Sequence, residues 1–315
     1  MKRTLMATLV ASLLATTAVS AETIGVSIAL LEHNFLAVMT NGMIGYADKR
    51  DDVTLQIEDA QNDVAKQLNQ IQNFIASGVD AIIVNAVDTS ATQAMSDIAE
   101  KAGIPLVYVN RQPVNLDNLP KGQAFVASNE VDSGTLETVA VCDLLKKQGK
   151  GDGANIVVMV GELANQAAVQ RTQDVHDVIA TPACSFMKIV EEQTANWNRV
   201  QGQDLMTNWM SAGVEFDAVV ANNDEMAIGA IQALKAGGIS MDDIIVAGVD
   251  ATQDALIAMQ QGDLDITIFQ DAYGQGEGSI DIAVKLVRGE MVETKVYIPF
   301  LLVTPENIGD FLDKN

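Results

Sequence analysis

Side chains that can each make two or more hydrogen bonds stand at the ends of several predicted strands. Amides, a carboxylate, an imidazole and a guanidinium of this kind suit the vicinal hydroxyls of a polyol. Phe35 and Trp197 could cover the apolar C–H faces of a sugar or cyclitol ring. Any one of these residues alone would be an ordinary turn residue, but together they favour a binding pocket for a neutral polyol. The polar members of the set are His33, Asn85, Asn110, Arg111, Asn223, Asp250 and Gln270.

The sequence lacks the motifs that catalysis or metal binding would need. His33 and His176 are its only histidines, and neither H-E-x-x-H nor G-x-S-x-G occurs. The glycine-rich stretches at 149–153 and 274–278 fit neither a phosphate loop nor a dinucleotide fingerprint, and they are typical of turns and helix caps. We therefore predict no enzyme activity, no cofactor and no metal.

Strands that are apolar on both faces alternate with helices along the chain, which predicts parallel sheets covered on both sides. Nearly equal series of these elements lie on either side of residue 125, so we expect two similar α/β lobes. The predicted strands are 23–28, 53–57, 81–84, 106–109, 123–127, 155–160, 186–191, 218–221, 244–249, 266–269 and 296–300.

One strand-turn-helix unit shows how polar residues reach a binding edge. Ala218–Ala221 predicts a short buried strand, Asp224 is predicted to cap the next helix, and Gly237 is predicted to end it. Ligands of open parallel sheets bind at the carboxyl edge of the strands. We therefore expect the turn Asn222–Asp224 to project toward that edge.

Length and charge limit the class of protein. The chain has 315 residues, of which 48% are hydrophobic, and two domains are the better expectation. The formal net charge is -23, and removal of Lys2 and Arg3 with the leader described next would make it -23 - 2 = -25. Such a charge repels nucleic acid and anionic lipid and is otherwise typical of a soluble protein, so we predict no nucleic-acid partner.

The first 21 residues are typical of a secretory leader. A positive n-region precedes the apolar run Leu5–Leu14, and Val19–Ala21 supplies small residues for cleavage before Glu22. We therefore predict that the mature chain is a soluble protein outside the cytoplasm. In that oxidising compartment the only two cysteines, Cys142 and Cys184, form either a disulfide or two separate buried thiols.

Five stretches of the mature chain together form a specific pattern: Ile83–Asp88, Val109–Gln112, Ala221–Ala230, Val246–Thr252 and Gly262–Gln270. With them the chain resembles the ribose-type periplasmic sugar-binding proteins that feed ATP-driven importers. The resemblance covers essentially the whole mature chain. It implies two similar doubly wound parallel-sheet lobes joined by a hinge. The expected organisation is a leader at 1–21, an N-terminal lobe at 22–126 plus 271–299, and a C-terminal lobe at 127–270 plus 300–315.

The resemblance also implies roles for individual residues. His33, Phe35, Asn110 and Arg111 are expected to contact ligand from the first lobe, and Arg171 matches the arginine motif of the second. Trp197 is similar to the aromatic cover of the family, and Asn223, Asp250 and Gln270 match its amide, acid and hinge-side glutamine. Two departures argue against ribose itself: the family more often has Asp at the position of Asn110, and Asn or Asp at that of His33.

Two further fragments look more like the inositol and rhizopine-binding branch of the family: Val26–Leu36 and Gln193–Trp197. They favour myo-inositol or a related cyclitol, bound by hinge closure and delivered by a monomer to the membrane permease of an ABC importer. A pentose or hexose ligand, such as ribose, and a receptor role in chemotaxis remain open. A sugar-sensing repressor would need a basic DNA-binding head, and an extracytoplasmic enzyme would need a catalytic constellation.

Overall fold

The computed structural model describes residues 21–315. All but the last residue of the predicted leader lies outside the described residues. Between residues 21 and 315, no helix is both long and apolar enough to cross a membrane. The described chain forms two lobes, each built on a six-stranded sheet.

The N-terminal lobe has an all-parallel sheet in the order β11-β5-β4-β3-β1-β2. Its strands are β1 (Glu22–Ile28), β2 (Val53–Asp59), β3 (Ala81–Val84), β4 (Leu106–Val109), β5 (Gln123–Ala127) and β11 (Lys295–Tyr297). Its helices are α1 (Asn34–Ala47), α2 (Val64–Ser77), α3 (Thr92–Ala102) and α9 (Ala272–Val287). Apolar clusters lie on both faces of this sheet.

The C-terminal lobe has a sheet in the order β12-β10-β9-β8-β6-β7, parallel except for β12. Its strands are β6 (Ala154–Val160), β7 (Met187–Thr194), β8 (Ala218–Ala221), β9 (Ile245–Asp250), β10 (Ile266–Phe269) and β12 (Leu301–Val303). Its helices are α4 (Glu130–Lys147), α5 (Gln166–Ile179), α6 (Arg199–Ser211), α7 (Asp224–Ala236) and α8 (Gln253–Gln260). The sequence prediction of two similar α/β lobes is confirmed.

Local sequence explains how these elements begin and end. Every residue of β3 and of β8 is buried, because helices cover both faces of each sheet. Helix α2 begins where the Asp63 carboxylate accepts a hydrogen bond from the Lys66 amide. It ends at Gly78, whose φ of 76° is the left-handed conformation that favours glycine.

Ten of the predicted strands each match one observed strand to within three residues at each end, but the last one reaches into the segment between two strands. The last predicted strand, 296–300, overlaps only the end of β11 in the N-terminal sheet, and the antiparallel β12 of the C-terminal sheet begins just after it at Leu301. The sequence hid β12 because this three-residue edge strand has only one buried side chain, that of Val303.

The chain passes between the two sheets three times. The passages lie between β5 and α4, between β10 and α9, and between β11 and β12. The predicted boundary at 126 lies inside β5, whereas those at 270 and 299 lie in the second and third connections. The exact lobe boundaries stay a prediction.

A disulfide joins Cys142 to Cys184. Cys142 lies on α4, and Cys184 lies in the segment between α5 and β7. Both residues are buried in the C-terminal lobe. The bond is the first of the two alternatives that the sequence left open.

Candidate ligand-binding cleft

A cavity lies between the two lobes, with about 480 Å³ of empty space including its opening to solvent. Nine of the ten predicted site residues line it, the exception being Asn85. The N-terminal lobe contributes His33, Asn34, Phe35, Leu36, Asn110 and Arg111 to its wall. The other lining residues are Glu130, Asn165, Ala167, Arg171, Trp197, Asn223, Glu225, Asp250 and Gln270.

The start of helix α1 supplies His33 and Phe35. His33 is the residue before the helix, and Phe35, in the first turn, is buried against the core of the N-terminal lobe. Burial, and then the charge of Arg111, lower the pKa of His33 below its usual value. The neutral imidazole that results can donate one hydrogen bond and accept another.

Asn110 follows β4 in the left-handed backbone region, with φ of 65°. Its Nδ2 donates to Gln275 Oε1 at 3.2 Å, and its Oδ1 accepts from Asn85 Nδ2 at 3.2 Å. The next residue, Arg111, is buried, and its Nη1 donates to the carbonyls of Ala86 and Val87 at 3.0 and 3.1 Å. Both side chains are thus held by the protein before any ligand arrives.

Asn85 lies behind the cavity wall and not on it. It is fully buried, and its Oδ1 accepts from the Ala29 amide at 3.4 Å. Its Nδ2 donates to the Val109 carbonyl at 3.3 Å and to Asn110. Asn85 does not face the cleft as the sequence analysis expects, because neighbouring backbone groups use its hydrogen-bonding capacity. Asn85 therefore orients Asn110.

Arg171 is the buried cation of the C-terminal wall. Its Nε donates to Glu130 Oε2 at 2.7 Å, and both side chains are 4% exposed. Its Nη2 lies 3.4 Å from Gln270 Oε1. The guanidinium stands 5.7 Å from the ring centroid of Trp197, within the range of a cation–π interaction.

Trp197 depends on Gly161 for its place in the wall. A Cβ at Gly161 would overlap the indole ring, so only glycine leaves room for it. Trp197 has φ of 60° and the preceding Asn196 has φ of 51°, an uncommon conformation for side chains of this size. The buried indole Nε1 has no hydrogen-bond partner among the described residues.

Asp250 ends β9 with φ of 123° and is 4% exposed. Burial raises the pKa of its carboxyl well above the usual value, while the charge of Arg171 acts in the opposite direction. Gln270 follows β10, and its buried Nε2 has no partner within residues 21–315. Both residues line the cavity from the ends of two neighbouring strands.

The turn at 222–224 differs from its prediction. Asn223, and not Asp224, caps α7, its Oδ1 accepting from the Met226 amide at 3.1 Å. The Asp224 carboxylate turns into the lobe and accepts from Thr252 N at 3.0 Å and Thr267 Oγ1 at 2.8 Å. Asn222 Oδ1 accepts from the Gly161 amide at 3.1 Å. Of the three residues, Asn223 alone lines the cavity.

The sequence interpretation missed several lining residues. Glu130 begins α4 directly after the first passage between lobes, and Asn165 caps α5. Glu225 follows the Asn223 cap, and Asn34 lies between two predicted site residues. The position of Asn34 was a usable signal, but no local pattern distinguishes Glu130 from an ordinary acidic residue in a first helical turn.

The formal charges around the cavity largely pair with one another. Glu130 pairs with Arg171, and Arg111 Nη2 lies 3.5 Å from Glu162. Glu225 pairs with Arg199 at 2.8 Å. Because protein groups already balance these charges, the wall suits an uncharged ligand. Among residues 21–315, no three His, Cys, Asp or Glu side chains are placed to hold a metal ion.

Direct hydrogen bonds join the two lobes across the rim of the cavity. Asn34 Nδ2 donates to Glu225 Oε1 at 3.1 Å, and Asn62 Nδ2 donates to Glu162 Oε1 at 3.0 Å. The amide of Thr89 donates to the carbonyl of Ala164 at 3.0 Å. The lobes are therefore closed on each other.

Two hinged α/β lobes with a polar and aromatic cavity between them define a bilobal ligand-binding protein. The family model of the periplasmic binding protein domain matches residues 24–291. The chain belongs to this family.

Several known proteins are similar to this chain over nearly its whole length. A protein of Rhizobium meliloti named "Putative rhizopine-binding protein" is 62% identical over 305 residues, which is 97% of each chain. An ABC transporter solute-binding protein from Bacillus halodurans with bound myo-inositol is 43% identical, with a TM-score of 0.87 over 95% of this chain and 100% of that one. A Caulobacter myo-inositol binding protein is 27% identical, with a TM-score of 0.82 over 91% and 95% of the two chains.

Proposed function

We propose that this protein captures a neutral cyclic polyol, myo-inositol or a related cyclitol, between its two lobes in the periplasm. As a monomer it then presents the ligand to the membrane permease of an ABC importer, without changing it chemically. The ligand class is that of the inositol-bound and rhizopine-binding relatives.

Hydrogen-bonding capacity that converges from both lobes carries this proposal. His33 offers a donor and an acceptor from the N-terminal wall. The C-terminal wall offers the carboxyl oxygens of Asp250 and the Nε2 of Gln270, which has no hydrogen-bond partner in the described part of the chain. A ring with hydroxyls around its whole edge can use partners on both sides. Phe35 and Trp197 supply apolar surface for its C–H faces.

Closure gives the site its selectivity. When the lobes meet, each ligand hydroxyl finds protein partners and water is excluded. A hydroxyl of the wrong configuration leaves a buried polar group unpaired, which costs about 1–3 kcal/mol. Epimers are therefore rejected by the partners that they fail to satisfy.

Titration calorimetry and thermal shift against a ligand panel test the proposal. The panel holds myo-inositol, scyllo-inositol, ribose, galactose and the linear polyol xylitol. We expect the tightest binding for a cyclitol, and a ligand at 100 times its Kd should add about 2.7 kcal/mol of stability. Tighter binding of ribose or galactose would replace the cyclitol by a pentose or hexose, and no binding by any member would refute the proposal.

The contacts across the rim provide a second test. Glu162→Ala removes the partner of Arg111 and of Asn62, which Glu162 meets only across the closed cleft. We expect affinity to fall about 5- to 10-fold through faster dissociation. Glu192→Ala is the matched control, because Glu192 pairs with His176 within the C-terminal lobe. Equal effects of the two substitutions would count against a role of the rim contacts in closure.

A further inference from the structure

The side chain of Asn315 makes three hydrogen bonds at the second passage between the lobes. Its Nδ2 donates to the carbonyls of Asp250 and Gln270, each at 2.8 Å. Its Oδ1 accepts from the amide of Ala272 at 3.1 Å. One amide group thus connects the end of β9, the end of β10 and the first residue of α9.

Two of these three backbone groups belong to residues of the cavity wall. Asp250 ends β9 and Gln270 follows the neighbouring parallel strand β10. The bond between them, from Gln270 N to Asp250 O, is long at 3.3 Å. Asp250 has φ of 123° and Ala251 has φ of 50°. Such conformations persist only where surrounding contacts hold them.

The third backbone group lies in the other lobe. Ala272 begins α9, which packs against α1 and the sheet of the N-terminal lobe. Any change of lobe angle must rotate the backbone at residues 270–271, between the groups that Asn315 holds. The side chain therefore favours one arrangement of the hinge.

Other contacts of the C-terminal segment fix Asn315 itself. Gln253 Nε2 donates to the backbone oxygens of Leu312 and Asn315, each at 2.7 Å. The ring of Phe311 packs against Phe269 on β10, with centroids 5.2 Å apart. The segment is thus attached both to α8 and to the strand that leads into the hinge.

We propose that Asn315 is a positioning residue for ligand binding. It sets the separation of the Asp250 and Gln270 backbones and ties both to the first turn of α9, so that the two side chains meet the ligand only when the hinge is in its closed arrangement. The inference rests on the proposed function, because it takes the cavity as the ligand site.

Substitutions separate this role from a contribution to stability alone. Asn315→Ala removes all three bonds and should weaken myo-inositol binding about 10-fold. Asn315→Asp keeps the acceptor for Ala272 but places a carboxylate oxygen against two carbonyl oxygens, so its loss of affinity should be at least as large. Gln253→Ala should give a smaller loss, because it releases only the backbone oxygens of Leu312 and Asn315 and leaves the three side-chain bonds of Asn315 in place.

Asn307 offers a matched control in the same segment. Its Nδ2 donates to the Leu302 carbonyl at 2.9 Å and its Oδ1 accepts from the Thr304 amide at 2.8 Å, and neither of these groups lies in the second passage between the lobes. Asn307→Ala should lower the melting temperature but leave the Kd within twofold of wild type. Equal loss of affinity in both alanine variants, or none in Asn315→Ala, would overturn the proposal.

Amide hydrogen exchange without ligand tests the hinge contact independently of the cavity. NMR should show that the Ala272 amide exchanges faster in Asn315→Ala than in wild type. In Asn307→Ala its exchange rate should equal that of wild type. An unchanged exchange rate at Ala272 in Asn315→Ala would overturn the proposed role of Asn315 at the hinge, even if ligand binding weakened. If the wild-type protein bound no ligand of the panel, the proposed function would fail. Faster exchange at Ala272 in Asn315→Ala would still support the contact of Asn315 with the hinge.

Discussion

Asp250→Asn should change ligand-free stability and ligand affinity in opposite directions. The substitution keeps the shape of the side chain, and asparagine accepts positive φ as aspartate does. What it removes is a carboxylate that is 4% exposed and whose pKa burial raises well above 3.8.

The stability effect follows from the direction of that pKa shift. A carboxyl whose folded pKa lies above its unfolded value of 3.8 destabilises the folded state increasingly as pH rises above that value. Asparagine has no such ionisation. We therefore expect the ligand-free variant to melt at a higher temperature than wild type, with a larger difference at pH 8 than at pH 5.

The affinity effect follows from the hydrogen bonds that a carboxylate can accept. A hydrogen bond to a charged group contributes about 1.5–3 kcal/mol. The asparagine amide keeps one acceptor oxygen but replaces the other by a donor, so one such hydrogen bond is lost. The loss of its roughly 1.5–3 kcal/mol corresponds to about a 10- to 150-fold loss of affinity for myo-inositol. Asp250→Ala removes both acceptor positions and should abolish detectable binding while the protein stays folded.

Calorimetry gives the affinity, and differential scanning calorimetry at the two pH values gives the stability. Asp243→Asn, an exposed aspartate in the turn before β9, is the control and should change neither. Affinity of Asp250→Asn within twofold of wild type would refute ligand contact by Asp250. If ligand-free Asp250→Asn melted at a lower temperature than wild type, burial of the Asp250 carboxyl would not destabilise the protein as argued above.

Three further predictions concern the C-terminal lobe. Gly161→Ala places a methyl group into the indole of Trp197, and since overpacking costs about 1–3 kcal/mol, calorimetry should show about a 5- to 150-fold loss of affinity; unchanged binding would show that the ring is not needed where it lies. Glu137→Gln removes a fully buried carboxyl whose pKa burial raises, so the loss of melting temperature between pH 5 and pH 8 should shrink; an unchanged difference would contradict this. The double substitution Cys142→Ser and Cys184→Ser opens a disulfide with a sequence separation of 42 and should lower the free energy of unfolding by about 2–4 kcal/mol in urea titrations, with an unchanged value contradicting the result.

The sequence predicts the architecture because strands such as Ala81–Val84 are apolar throughout and follow amphipathic helices at regular intervals. A strand buried on both faces in such a series has few alternatives to a parallel sheet. The strand β12 escaped prediction because it is short, antiparallel and mostly exposed, so neither periodicity nor length marks it.

The direction of individual side chains in the cleft is harder to predict than their position in the chain. Asn85 and Asn223 both follow buried strands, yet one lies behind the wall and the other on it. The pair Glu130 and Arg171 joins residues 41 positions apart, and only the packed lobe brings them together. Strand ends can be located from local pattern, whereas contacts of this kind depend on the tertiary structure.

The interleaved path of the chain has a consequence for how the protein is made. On the ribosome, residues 22–127 emerge first, but their sheet lacks β11 and the cover of α9 until about 170 further residues have followed. The hydrogen bond from Tyr46 to Asp281 joins two residues of this lobe that lie 235 positions apart in the sequence. Long-range closure of this kind slows folding. We therefore expect the nascent polypeptide to complete its folding only after nearly the whole chain has been made, and neither lobe to fold alone from a truncated gene.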